Sequence, residues 1–348
     1  MEHLVREMAR GLEARGFQVE IFHRGNSEPA WLTARTGSLG RKLKGTLLGY
    51  WVGRKARHHL RNDVAAVISN SDVGYFPLRS NSRFIRIHFF HGTYRGQTEA
   101  IRSFISYGGY LYMKWWNSMV LERLSGRDKI ILTCSEQTSQ EVARFFGQNS
   151  VAVWLPIDTE HFKPRDVVAS RTTLGLPREK KIGLFVGNIQ PAKGFPIIRE
   201  MIDRLPEIHW VLALRGDTRG TESTRANLTV MCDVPHERIP ELYNAADFTV
   251  CPSLYESFGY VVAEALACGT PVIASPGGAS RIFLREPPMN RLLIPNPTVT
   301  RRFVDAVREV LDTPGVYRHV ITERVRPQIQ ELMAPQNWWR RFFEVTGL

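Results

Sequence analysis

The amino-acid sequence predicts an α/β protein with two domains, each built around a parallel β-sheet. The chain has 348 residues, a length that suggests two domains rather than one. Short apolar segments with strand character alternate with helical segments, as expected for parallel sheets. The clearest case runs from Phe248 to Gly278, where a strand, a loop, a buried helix, a second strand and a glycine loop follow one another.

The first half of the chain begins with an amphipathic helix from Glu2 to Arg15, whose apolar residues recur at helical spacing. Gly16 is placed to end it. Another helix is predicted to begin at Ser135, a favourable N-cap residue, and to continue to Phe146. The predicted strands of this half are Gln18–Phe22, Val64–Ser69, Phe84–Phe90, Lys129–Cys134 and Val151–Leu155.

The second half contains the buried helix from Tyr260 to Cys268, which Gly269 is placed to end. An amphipathic helix is predicted from Thr298 to Leu311. The final residues, Thr322 to Leu348, are helical in character apart from two prolines. The predicted strands of this half are Ile182–Val186, His209–Leu214, Leu228–Met231, Phe248–Cys251 and Thr270–Ala274.

Composition and charge narrow the classes of function. Apolar residues make up 43% of the chain and charged residues 23%, which is ordinary for a globular protein. We expect neither a membrane span nor a signal peptide. The four cysteines lack the spacing of a metal site or a disulfide framework. Residues 1–150 carry 22 Lys and Arg against 12 Asp and Glu, so this half is basic and predicts an anionic partner.

Two carboxylates stand out in the stretch described first. Glu256 lies in the loop before the buried helix, and Glu264 lies about two turns into that helix, among small and apolar neighbours. A buried ionised Glu is costly unless something bonds it, and a diol is a suitable partner because a carboxylate accepts from two hydroxyls. The free amides at the helix start, around Ser257 to Tyr260, suit a diphosphate. The alternative is that both are ordinary solvated side chains.

This stretch resembles the E-x7-E signature of retaining glycosyltransferases with the GT-B fold, and is most similar to family 4, which uses nucleotide-sugar donors. The shared residues run from Glu256-Ser-Phe-Gly to Glu264-Ala-Leu-Ala-Cys-Gly-Thr-Pro-Val. The resemblance implies that Glu264 binds the donor ribose. It also implies that Glu256, with Ser257, Phe258 and Gly259, holds the donor sugar and the diphosphate.

Other residues extend the resemblance. Gly187, Asn188 and Lys193 follow the strand Ile182–Val186, where the family has Gly-Arg and then Lys-Gly; Asn188 departs from that Arg, which leaves one cation fewer beside the phosphates. His91 before Gly92 matches a family His that faces the donor sugar, and His88 flanks it. A structural role for His91 is about as common as a functional one. The predicted catalytic residues are Glu256, His91 and Lys193.

The resemblance implies two Rossmann-like domains that face each other across a cleft. Residues 1–164 would form an acceptor domain and residues 165–322 a donor domain, while 323–348 would cross back to the first domain. In this family a strand and a Gly-Gly loop precede the first helix, whereas this chain begins at Met1 inside that pattern. We therefore expect that the first strand is missing and that the true start lies upstream; a genuinely short protein is the alternative.

Two segments of the basic half predict surfaces. Ser38 to Arg61 interleaves apolar and basic residues, which favours either docking on an anionic membrane or a helix packed on the sheet with a solvated basic face. Tyr107 to Leu124 is unusually aromatic and predicts either an interfacial or acceptor-binding surface or a packed core. The sequence does not decide between these alternatives.

The predicted function is transfer of a sugar, with retention, from a UDP- or GDP-linked donor to a carbohydrate or lipid-linked acceptor. We expect a role in bacterial surface-polysaccharide or glycolipid assembly, at the cytoplasmic face of the membrane, with no metal and no cofactor. The first alternative is a non-catalytic glycosyltransferase-like subunit that binds a nucleotide or a partner enzyme. A nucleic-acid binder lacks a recognised motif, and a nicotinamide dehydrogenase would need a G-x-G-x-x-G that the sequence does not contain.

Overall fold

The computed structural model describes residues 2–23, 49–60, 63–70, 84–216 and 225–348. They form two α/β domains, each with one parallel sheet. The first sheet has the order β1-β2-β3-β4 and the second the order β7-β6-β5-β8-β9, and every strand pair in both is parallel. The strands are β1 (Ala66–Asn70), β2 (Ile85–Phe90), β3 (Ile130–Thr133), β4 (Val151–Ala152), β5 (Ile182–Gly187), β6 (His209–Leu214), β7 (Leu228–Cys232), β8 (Phe248–Cys251) and β9 (Val272–Ala274).

Helices cover both sheets. Those of the first domain are α1 (Glu2–Glu13), α2 (49–58), α3 (Tyr94–Ala100), α4 (the consecutive segments Tyr107–Leu111, Tyr112–Glu122 and Arg123–Gly126) and α5 (Glu136–Phe146). Those of the second domain are α6 (Val167–Leu174), α7 (Phe195–Arg204), α8 (Ile239–Ala245), α9 (Tyr260–Ala267), α10 (Gly278–Phe283), α11 (Thr300–Asp312) and α12 (Pro314–Val320). The turn Ile321–Val325 leads to α13 (Arg326–Met333) and α14 (Pro335–Thr346).

The two-domain α/β prediction is confirmed, and most elements lie within two residues of their predicted bounds. Ser135 caps α5 by accepting from the amide of Thr138, as its position indicates. Gly269 follows α9 in the left-handed conformation, with φ +81°, which a side chain would strain. Local signals of this kind act within a few residues, so they are legible in the sequence.

One strand prediction is wrong, and another is longer than the observed strand. Gln18–Phe22 belongs to no sheet of the described residues, although Phe17 and Val19 pack against the core. Only Val151 and Ala152 of the segment Val151–Leu155 pair with β3. A strand exists only where its backbone groups pair with a neighbour, and that partner comes from tertiary structure rather than local sequence. Residues 24–48 lie outside the described residues, and with them the first part of the basic segment, residues 38–48.

The last helix of the chain, α14, packs on the first helix, α1. Arg15 lies over the Trp339 ring at 4.4 Å from its centroid, and Phe17 stacks on Phe343 at 6.4 Å. A Cβ on Gly11 would lie 2.0 Å from the same tryptophan, so α1 needs a glycine where α14 approaches it. Helix α14 follows the second domain in the chain, but it contacts the first domain. No helix among the described residues combines the length and apolar character that crossing a membrane requires.

Candidate active site

The carboxyl ends of strands from both domains meet. In open parallel sheets, ligands bind at the carboxyl ends of the strands. The loop after β2 contains His91, Gly92 and Thr93, and it contacts the loop after β8. A Cβ on Gly92 would lie 3.0 Å from the Cβ of Ser257. Ser135, which follows β3, donates a hydrogen bond to the backbone oxygen of Ser257 at 2.6 Å. The segment around Glu256 is therefore held against the first domain.

Lys193 and Glu256 form an ion pair at this junction. The Nζ–Oε2 distance is 2.7 Å, and Ser253 donates to the same oxygen at 3.2 Å. Gly194, with φ +72°, brings the lysine loop onto the β8 loop, because a Cβ there would lie 2.0 Å from the backbone oxygen of Pro252. Burial lowers the pKa of Lys193, but Glu256 outweighs burial and the net pKa is raised. The lysine is a fixed cation.

Glu264 is the more buried of the two carboxylates, with 8% of its surface exposed. It lies on α9 and accepts a hydrogen bond on Oε2 from the hydroxyl of Tyr243 on α8, at 2.8 Å. Burial raises the pKa of Glu264 to about 7, and the tyrosine hydrogen bond opposes that rise. The partner that the burial of Glu264 requires is thus supplied by the protein on one oxygen.

The start of α9 has the form predicted for an anion site. Gly259 caps the helix in the left-handed conformation, with φ +91°, and the amides of the first turn are free of intrahelical partners, as at every helix start. The ring of Phe258 is buried beside Trp154 at 5.9 Å, so this residue offers a ligand its backbone rather than its side chain. The amide of Ala279 donates to the backbone oxygen of Phe258 and fixes the turn.

The two histidines named in the sequence analysis, His88 and His91, have different roles. His91 lies in the loop facing Ser257; its Nε2 is 2.9 Å from Oδ1 of Asn70, and its ring stacks on Phe89 at 4.8 Å. Burial lowers the pKa of His91 to about 4, so the ring is neutral at neutral pH. His88 is fully buried, with Nδ1 2.9 Å from the hydroxyl of Ser69, so it belongs to the packing of the first domain rather than to the site.

The end of β5 supplies the remaining predicted residues. Gly187 is the last residue of this strand, and its backbone oxygen accepts from the amide of Arg215 at 2.9 Å. Asn188 follows directly, and its Oδ1 is buried without a hydrogen-bond partner in the part of the chain that the structure describes. A polar atom in that state is available to a ligand. Lys193 lies in the next turn and is the cation of this loop.

Three residues of the site escaped sequence reasoning. Tyr243 and Asn70 hold Glu264 and His91, and Tyr255 joins the domains. The Tyr255 hydroxyl donates to Oε2 of Glu141 at 2.8 Å and accepts from the amide of Thr93 at 3.0 Å. No local signal points to these residues, because each hydrogen-bond partner is distant in sequence.

The fold and the strand-end site define the class: two parallel-sheet domains with facing carboxyl ends form the GT-B architecture. Residues 168–327 match the family described as "Glycosyl transferases group 1". Residues 1–161 match the family described as "Glycosyltransferase Family 4". The chain therefore belongs to the group 1 and family 4 glycosyltransferases, as the sequence resemblance predicted.

Curated relatives match part of the chain. One is D-inositol 3-phosphate glycosyltransferase 2 of Catenulispora acidiphila, which is 34% identical over 185 residues, or 45% of this chain and 43% of the relative. Another is D-inositol 3-phosphate glycosyltransferase of Mycobacterium tuberculosis, also 34% identical, over 37% of this chain and 30% of the relative. The matched region spans less than half the length of these relatives.

Solved structures match most of the chain. Sucrose-phosphate synthase from Thermosynechococcus elongatus aligns with TM-score 0.69 and 20% identity, over 89% of this chain and 79% of its own. HepE of Anabaena, solved with UDP and glucose, aligns with TM-score 0.69 and 16% identity, over 97% and 88%. WaaG, a glycosyltransferase involved in lipopolysaccharide biosynthesis, aligns with TM-score 0.66 and 15% identity, over 99% and 96%. At these identities the likeness establishes the fold.

Proposed function

We propose that this protein transfers a sugar from a nucleoside-diphosphate sugar to an acceptor hydroxyl, with retention of configuration. The observation that carries the proposal is the strand-end junction, where Glu256 pairs with Lys193, the adjacent Ser257 packs against the loop of His91, and the following helix carries the buried Glu264. A cation, a helix start and two carboxylates suit a diphosphate between two sugars. Relatives of the family act on inositol phosphate, and HepE was solved with UDP and glucose.

Each residue has a role in this proposal. Glu264 accepts from the ribose hydroxyls, while Lys193 and the amides from Ser257 to Tyr260 hold the diphosphate and stabilise its charge as it departs. Glu256 and the neutral His91 hold hydroxyls of the donor sugar. The departing phosphate takes the proton of the acceptor hydroxyl, since no separate base is assigned. That neither a metal nor another cofactor takes part remains a prediction.

The ion pair has a consequence for binding. Glu256 occupies Lys193 in the structure, with the two side chains 2.7 Å apart. A diphosphate competes for the same ammonium group and would release the carboxylate toward the sugar. Donor binding would then exchange one anion for another on Lys193, and the lysine stays charged throughout because its raised pKa keeps it protonated.

Donor turnover tests the proposal without knowledge of the acceptor. Purified protein is incubated with UDP-glucose and with GDP-mannose, with and without a panel of sugar and lipid-linked acceptors, and the released nucleoside diphosphate is measured. We expect release from one donor, stimulated by one acceptor class, and a fall of about 100-fold or more in Glu256→Gln. Proton NMR of the product at its anomeric centre tests retention. Release that is equal in wild type and Glu256→Gln would refute the assignment.

One observation favours the non-catalytic alternative. Asn188 stands where the family has an arginine, so the diphosphate meets one cation fewer. A protein of this second kind would bind a nucleoside diphosphate but release none above the spontaneous rate with any acceptor. Asn188→Arg is then the informative variant, because gained turnover would trace the missing activity to that cation.

The acceptor is proposed to be lipid-linked and presented at the cytoplasmic face of a membrane, as in surface-polysaccharide assembly. In support, Phe104, Tyr107, Trp115 and Trp116 are 53%, 72%, 57% and 41% exposed on one stretch of the basic domain. Exposed aromatic rings beside cations favour the interface of an anionic bilayer. Lys114 lies 5.9 Å from the Trp115 ring centroid, so charge and rings are adjacent.

Vesicle flotation tests this part. We expect binding to phosphatidylglycerol vesicles at low salt, weaker binding to phosphatidylcholine vesicles, and a loss of most binding in Trp115→Ala. Val168→Ala is the matched control, because this exposed apolar residue lies on the second domain and is similarly exposed at 53%. Equal binding of both variants, or no binding of the wild type at low salt, would remove the membrane from the proposal.

A further inference from the structure

Tyr243 is a buried tyrosine whose hydroxyl contacts a residue of the proposed donor site. It lies on α8, has no exposed surface, and donates to Oε2 of Glu264 at 2.8 Å. Its backbone oxygen accepts from the hydroxyl of Thr270 at 2.7 Å, and its ring lies 6.3 Å from that of Phe162. Backbone and ring are both fixed, so the hydroxyl is held in place rather than free to rotate away.

The hydrogen bond from Tyr243 makes the two oxygens of the Glu264 carboxylate different from each other. An ionised carboxylate accepts about four hydrogen bonds, two on each oxygen, whereas a tyrosine hydroxyl donates one. Tyr243 occupies Oε2, and Glu264 as a residue keeps 8% of its surface exposed, which leaves Oε1 as the oxygen that Tyr243 does not occupy. A carboxylate pinned at one oxygen has a fixed plane, and the direction of its other oxygen is fixed with it.

The surroundings of Glu264 offer little else to stabilise a negative charge. Tyr260 and Cys268 lie one turn before and one turn after it on α9, and burial raises the pKa of both, with Glu264 adding to the rise. The charges of Arg165 and Arg326 partly oppose the rise in the pKa of Cys268. Within the described residues, the hydroxyl of Tyr243 is the recorded side-chain donor to this carboxylate.

We propose that Tyr243 is a positioning residue: it holds the Glu264 carboxylate by one oxygen and thereby presents the other to the ribose of a bound nucleotide. This inference rests on the proposed nucleotide-sugar site and adds a residue to it. Tyr243 itself does not touch the nucleotide. Its role is to aim Glu264 and to keep it ionised, because donation to a carboxylate favours the charged form.

A specific consequence concerns the ribose. If the aimed oxygen binds a ribose hydroxyl, the protein prefers a ribonucleotide to its 2′-deoxy counterpart, and this preference requires the ionised form of Glu264. Burial already raises the pKa of Glu264 to about 7, so removal of the tyrosine hydroxyl would raise it further. The ribose preference would then be lost at neutral pH and recovered at higher pH.

The test compares matched nucleotides. Dissociation constants are measured by calorimetry for UDP and 2′-deoxy-UDP, and in parallel for GDP and 2′-deoxy-GDP, at pH 6, 7, 8 and 9. The ratio within each pair cancels the titration of the diphosphate itself. The variants are Tyr243→Phe and Tyr243→Met, which both lack the hydroxyl, so that one of them suffices if the other fails to fold, together with Glu264→Gln.

Tyr317→Phe is the matched control. This tyrosine is also buried, and its hydroxyl donates to Oε1 of Glu309 at 2.7 Å on α11, outside the strand-end junction. The substitution removes an equivalent tyrosine–carboxylate hydrogen bond without touching Glu264. It therefore reports the effect of lost stability alone.

We expect the wild type and Tyr317→Phe to prefer the ribonucleotide about tenfold at pH 8 and less at pH 6. In Tyr243→Phe the same curve should move about one pH unit higher, and in Glu264→Gln the ratio should stay near one at every pH. A folded Tyr243 variant with the wild-type ratio at every pH would overturn the inference. A wild type that binds none of the four nucleotides would instead refute the proposed function.

Discussion

The two halves of the candidate site, one from each domain, differ in the charge of the residues that they contribute. The half from the second domain carries charge: Lys193 is ion-paired to Glu256, and Glu264 is a buried carboxylate. The half from the first domain contributes the neutral ring of His91, since burial lowers its pKa to about 4 and its partner is the amide of Asn70. Under the proposed function, the second domain would bind the charged part of the donor, while His91 would contribute an uncharged polar contact.

The two carboxylates of the charged half differ in their hydrogen-bond partners. Glu256 is matched with a cation, whereas Glu264 is matched with a hydroxyl. Burial raises the pKa of Glu264 to about 7, because its hydroxyl partner opposes that rise only in part. In the proposed function, Lys193 meets the diphosphate and Glu264 meets the ribose diol.

Substitution of Lys193 should have the largest effect. Lys193→Met removes the cation, keeps most of the apolar stem and leaves Glu256 without its partner. We expect the dissociation constant for UDP-glucose to rise about 100-fold, because hydrogen bonds to charged groups contribute about 1.5–3 kcal/mol each. Isothermal calorimetry measures this. Lys193→Arg, which keeps the charge, should lose much less; equal losses in both variants would show that charge is not what the lysine supplies.

The raised pKa of Glu264 predicts an effect on stability that opposes its role in binding. Between its usual pKa of 4.5 and about 7, the folded protein holds a proton that the unfolded chain has released. Wild-type stability therefore falls as pH rises through this window, by about 2–3 kcal/mol as an upper bound. Glu264→Gln cannot titrate, so its stability relative to wild type should be higher at pH 8 than at pH 5.

Urea unfolding at pH 5 and pH 8 measures this difference between the two proteins. Parallel pH profiles would show that Glu264 titrates normally. The comparison between the two carboxylates would then lose its basis.

Asn70 should have the smallest effect, because it acts in the neutral half. Asn70→Ala removes the 2.9 Å contact to Nε2 of His91 and leaves the charged half unchanged. We expect the dissociation constant for UDP to stay within about twofold and donor turnover to fall by less than about tenfold, equivalent to a neutral hydrogen bond of about 1 kcal/mol. Both values come from the same preparation. A large loss of UDP affinity would show that the two halves are not separable.

The parts of this account that the sequence could predict are those that local physics decides. Gly269 ends α9, Ser135 caps α5, and Lys193 follows β5 because these signals lie within a few residues of their effects. The pairing of Tyr243 with Glu264 joins positions 21 residues apart, and that of Asn70 with His91 also spans 21, so neither follows from local pattern. The failed strand Gln18–Phe22 has the same cause, since pairing is a property of the assembled sheet.

The central claim is that the second domain binds a nucleoside diphosphate through Glu264. The most direct measurement is a thermal-shift titration with UDP, GDP, ADP and CMP on the wild type and on Glu264→Ala. The account predicts a rise in melting temperature with one diphosphate in the wild type and a much smaller rise in the variant, because a ligand stabilises the state that binds it. The absence of a shift with every nucleotide, in a wild type that still melts cooperatively, would contradict the claim.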